Sequence, residues 1–142
     1  MVARSLLQRP DRALRFLLDT NAFLWLQTHP GRLEPHLDML RDFDNDLLIS
    51  AVCAWEIAIK YARGRLSLIK PPAEYVPASI TAIGGTPLGI THDHVLGVAD
   101  LPALHRDPFD RLLVVQAQLE GLTIVTADAQ IQQYPVEVLA VD

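Results

Sequence analysis

Cys53 is the only cysteine among 142 residues, so no internal disulfide holds this chain together. CxxC and HxxxH spacings are also missing, which leaves zinc without its usual ligand patterns. No apolar run approaches the ~20 residues a membrane span needs. The opening stretch MVARSLLQRPDRALRF is interrupted by charge and by Pro10, and lacks a secretory apolar core. A cytoplasmic protein with no membrane association is expected. Positive charge is scarce too: 12 Lys and Arg stand against 17 Asp and Glu, a net −5. That speaks against a broad basic face for nucleic acid. It leaves nucleic acid open if the acids cluster and hold cations. Two local basic groups, Arg4, Arg9, Arg12 and Arg15, then Lys60, Arg63, Arg65 and Lys70, read as solvated surface.

What the chain does have is apolar residues, half of the total, enough for one sizeable core. They come in two alternating patterns. Short apolar runs, RFLLD, DLLIS, TPLGIT, LTIVT and VEVLAV, read as strands. Between them lie helical stretches: AFLWLQ, EPHLDMLRDF with Leu33, Leu37 and Leu40 in step, SAVCAWEIAIKYARGR, PPAEYVPASITAIGG, HDHVLGVADLP and PFDRLLVVQAQLEG. Ser50 suits an N-cap and Gly64 a stop. Asp107, Pro108 and Gly121 frame the last long helix. Pro77 is expected to kink its helix or delay its start. Strands alternating with helices imply an α/β fold, a largely parallel sheet with helices on both faces. No internal repeat or linker divides it.

Ligands of open parallel sheets bind beyond the carboxyl ends of the strands, so the acids at that edge matter. Asp19 ends the first strand and Asp128 follows LTIVT. Asp110 lies in the first turn of a helix whose cap position Asp107 already fills. Glu56 lies on a helix among Val52, Cys53, Trp55, Ile57 and Ile59, where a carboxylate is costly unless paired or bound to a cation. Lys60, four residues on, offers the simpler pairing. Each acid alone also reads as a cap, a turn residue or a favourable helix-start charge. Together they would repel one another and raise their pKa values, a conflict that Mg²⁺ or Mn²⁺ removes with oxygen ligands. His105 and Arg106, flanking Asp107, are expected to be solvated, and His92 and His94 to lie at the surface. DFDND lacks the Gly and Glu of a calcium loop and reads as a polar turn.

LLDTNAFLW, ISAVCAWEIAIK, HRDPFDRLLVVQA and LTIVTAD resemble, in that order, the motifs of PIN-domain proteins. The nearest likeness is to the VapC toxins of type II toxin–antitoxin pairs, from about Phe16 to Val141. Residues 1–15 precede it and are expected to form an N-terminal extension to a domain spanning 16–142. The resemblance implies a three-layer α/β/α fold with about five parallel strands, and Mg²⁺-dependent endoribonuclease activity with Mn²⁺ as a substitute. It assigns the metal-holding catalytic acids to Asp19, Glu56, Asp110 and Asp128. Thr20, Asn21, Asp107 and Thr126 stand beside them as supporting residues, Asn21 where many relatives carry His. It further implies a VapB-like cognate antitoxin as partner, a homodimer, and residues of AFLWLQ and EPHLDMLRDF, Trp25 among them, as antitoxin contacts. The expected reaction is hydrolysis of an RNA phosphodiester by water activated by one or two cations, leaving 5′-phosphate and 3′-hydroxyl ends. A housekeeping RNA-processing PIN nuclease and a nonenzymatic PIN-fold binding module are the alternatives. A dehalogenase-type phosphatase would need a second Asp where Asn21 stands.

Overall fold

The computed structural model describes residues 13–142. The expected extension lies outside them up to residue 12, while Arg15 already belongs to the first strand. Five strands form one sheet in the order β3-β2-β1-β4-β5, and every neighbouring pair is parallel. They are β1 (Arg15–Leu18), β2 (Asp46–Ser50), β3 (Thr86–Leu88), β4 (Thr123–Thr126) and β5 (Val138–Ala140). The helices are α1 (Thr20–Thr28), α2 (Leu37–Arg41), α3 (Ala51–Ala62), α4 (Pro72–Ala82), α5 (His92–Gly97) and α6 (Pro108–Glu120), with short 3₁₀ turns between some of them. No described helix is long and apolar enough to cross a membrane.

The central strands are apolar on both faces, as a parallel sheet covered by helices requires. Phe16, Leu17, Leu18, Ile124 and Val125 are wholly buried. Local chemistry sets the helix ends. Asp107 accepts the amides of Phe109 and Asp110, Pro108 opens α6, and Gly121 closes it in the left-handed conformation at φ 67°. Ser50 accepts the Val52 amide and starts α3. The expected helix over EPHLDMLRDF is shorter: Pro30–Leu33 makes a 3₁₀ turn and the α-helix runs only over Leu37–Arg41. Pro35 interrupts the register between them, since it has no N–H to donate. Pro77 sits inside α4 on its exposed side, and the helix runs past it.

The strand order places the site. From β1 the chain moves outward to β2 and β3, then returns to the other flank of β1 for β4 and β5. The direction of winding therefore reverses between β1 and β4, the place where doubly wound sheets open a crevice at their carboxyl ends.

Candidate metal-binding active site

Asp19 directly follows β1 at this crevice and is almost fully buried. One carboxylate oxygen, Oδ1, accepts the Ala22 amide at 2.8 Å, which caps α1. The other, Oδ2, accepts the Thr126 hydroxyl at 2.6 Å. Thr126, the last residue of β4, also accepts the Asp128 amide at 3.0 Å, so a single hydroxyl joins the acids that follow β1 and β4. Glu56 enters from α3 and is 5% exposed. Its Oε1 accepts the Thr20 hydroxyl at 2.6 Å, and its Oε2 pairs with Lys60 at 2.5 Å. The simpler pairing and the site position thus hold together: Lys60 is half-exposed and bonds only one of the two oxygens. Asp110 projects from the first turn of α6.

The acids sense one another. Burial pushes the Asp19 carboxyl up to about 6; the nearby charges of Glu56 and Asp128 add to this, against the hydrogen bonds from Thr126 and Ala22. The Asp110 carboxyl is pushed up to about 8 by burial and then by the charges of Asp107, Asp19, Glu56 and Asp128. For Asp128, partial burial raises the pKa, but the bonds from His105 and the Gln130 amide outweigh it and leave the group below the usual range. Burial pushes the Cys53 thiol up to about 12, so it is no nucleophile here.

His105 is the residue that sequence reasoning missed. It is not solvated: its side chain is 9% exposed, and Nε2 lies 2.8 Å from Asp128 Oδ2 and 3.1 Å from Asp110 Oδ2. The loop that delivers it is stapled from two sides. Tyr134 Oη accepts the Leu104 and His105 amides and donates to the Pro102 carbonyl. The Arg111 guanidinium meets the carbonyls of Val98, Leu101, Pro102 and His105. His94 also departs from expectation, being 1% exposed; it completes a capping box with Thr91 and faces Glu120 and Gln116. Of the supporting residues, Thr20 and Thr126 touch the acids and Asp107 caps α6. Asn21 is exposed and lines a separate groove along α1.

Beside the acids opens a cavity of about 620 Å³ lined by Glu56, Lys60, His105, Arg106, Phe109 and Gln130 among others. The donor set suits a hard divalent cation: carboxylate oxygens from four segments, with Lys60 as the one Lys or Arg paired with them among the described residues. Each bonded oxygen keeps a further lone pair, so the bonds from Thr20, Thr126 and the backbone orient the acids without exhausting them.

The PIN domain family model matches residues 16–137. The chain belongs to the PIN domain family. Within this PIN domain, 56 residues are 43% identical to Ribonuclease VapC16 of Mycobacterium tuberculosis, over 39% of this chain and 40% of that protein. The match therefore spans well under half of that relative's length. Among solved structures, the fold is similar to that of VapBC2 from Rickettsia felis bound to a DNA fragment from their promoter, with TM-score 0.69 and 18% identity over 91% of this chain and all of that one. It is likewise similar to DNA-bound VapBC from Salmonella typhimurium, with TM-score 0.65 and 18% identity over 89% of this chain and 98% of that one. At such identities the likeness is one of fold.

Proposed function

We propose that this PIN domain is a Mg²⁺-dependent endoribonuclease and the cytoplasmic toxin of a VapBC-like pair, held off by a cognate antitoxin. The carrying observation is the crevice between β1 and β4, where the charges of neighbouring acids help raise the pKa values of Asp19 and Asp110. These four acids would hold the cation, with Mn²⁺ as a substitute. When bound, it neutralises phosphoryl charge and makes water more acidic.

The remaining work falls to this chain's own groups. Asp19 and Glu56 are held by Thr126 and Thr20, so their oxygens face the crevice without rotamer search. Lys60 and Arg106, at the rim of the adjoining cavity, offer the positive charge an RNA backbone needs next to an acidic centre. Phe109, in edge-on contact with the half-exposed Trp55, offers an aromatic surface for a base. The products expected are 5′-phosphate and 3′-hydroxyl ends.

A groove of about 1130 Å³ runs along α1 and α4, lined by Leu24, Trp25, Leu68, Ile69 and Ala78 among others. Ile69 and Phe43 stand 89% and 93% exposed there. Large exposed apolar side chains mark a contact surface, which supports the antitoxin reading and includes Trp25, over whose ring Arg32 stacks at 3.9 Å. Val95, Leu96 and Leu119 expose a second apolar patch on α5 and α6, which supports a homodimer.

The test is cleavage of RNA by the purified chain, with Mg²⁺ or with chelator, read by mapping 5′ ends. Asp19→Asn and Asp110→Asn should each cut the rate by about 100-fold or more, the scale on which one lost electrostatic group at a reacting centre is felt. Undiminished cleavage by a folded variant, or by the wild type in chelator, would defeat the assignment.

A further inference from the structure

Three atoms, one each from His105, Asp110 and Asp128, lie within 4.8 Å of one another, a spacing that by itself suits a cation bound to all three. The hydrogen bonds around the imidazole argue otherwise. The Asp107 amide donates to His105 Nδ1 at 3.0 Å. A backbone N–H has a fixed direction, so Nδ1 presents its lone pair and the ring's hydrogen sits on Nε2. That hydrogen faces Asp128 Oδ2 at 2.8 Å, with Asp110 Oδ2 3.1 Å from the same nitrogen. Coordination needs a bare nitrogen. Freeing Nε2 would put the hydrogen on Nδ1, against the Asp107 amide. A 180° flip of the ring would turn carbon toward the Asp107 amide and toward Asp128 and so lose both bonds.

We propose that His105 is a positioning residue: its Nε2–H holds the acid after β4 beside the acid of α6, and the ring stays outside the cation's ligands. The inference rests on the cation reading given above, and it adds that the ring shapes the site through a donor it never gives up.

Nitrogen-15 NMR of the metal-free wild type reads the tautomer directly, and the Nε2–H form is expected. A manganese-soaked crystal should show the ion on carboxylates and away from Nε2. By titration of Mn²⁺ followed by electron paramagnetic resonance, His105→Leu should weaken binding by roughly 10–100-fold, as lost outer contacts do. His105→Gln, which restores an N–H donor, should recover most of it. An Nδ1–H tautomer, manganese bonded to Nε2, equal losses in Gln and Leu, or a less stable Leu variant with unchanged Mn²⁺ affinity would each overturn the proposal. If His105→Leu does not fold, the tautomer and the crystal still decide. A wild type that binds no Mn²⁺ sinks the cation reading, while the tautomer still judges the donor.

Discussion

Thr126 has one hydroxyl and two tasks, donating to Asp19 Oδ2 and accepting the Asp128 amide, and it is fully buried. Valine has the same shape and can do neither. Thr126→Val should therefore cost about 1–3 kcal/mol in urea unfolding, the penalty of buried polar groups left without partners, while Thr126→Ser stays near the wild type. Equal stability of the Val variant would mean that other groups take over both bonds. The places of the four acids were legible: Asp19 and Asp128 follow strands, Asp110 lies in a first helical turn, and Glu56 lies midway along α3. His105 was not. Its place depends on Tyr134 and Arg111 grasping a loop, and no local periodicity records that grasp. His94 left a fainter signal: Thr91 three residues earlier sets up a capping box, with His where Glu or Gln is usual.

At the scale of elements, α6 was the most readable, since Asp107, Pro108 and Gly121 each mark a boundary by their own backbone chemistry. The helix expected over EPHLDMLRDF was the least, because its leucines keep helical step across a proline that the backbone cannot continue through. The packing of α5 on α6 turns on Gly97. A Cβ there would lie 2.7 Å from Val115 Cγ1, and Val115 is itself buried. Gly97→Ala should destabilise by roughly 1–3 kcal/mol, as overpacking does, and should recover when combined with Val115→Ala. A single variant that melts with the wild type would show that the two helices part without cost.

For the molecule as a whole, the site is a source of strain that pH can read. Asp19 and Asp110 have folded pKa values of about 6 and about 8 against an ordinary 3.8. Groups raised in this way stabilise the fold while protonated, fully below about pH 4, and that help is lost as pH rises through 6 and then 8. At ~1.4 kcal/mol per pKa unit, Asp19 alone accounts for roughly 2–3 kcal/mol. The cation-free protein should thus unfold at lower urea concentration at pH 8.5 than at pH 5, and saturating Mg²⁺ should flatten the difference. A chelated protein equally stable at both values would contradict this account of the acids.

The bond between Thr126 and Asp19 joins residues 107 positions apart. Asp19 is translated long before its hydroxyl partner, which must wait for the intervening chain. A product stopped before β4 lacks one wall of the crevice and the acid behind it. Assembly of the centre therefore waits on the synthesis of β4, a delay that follows from strand order.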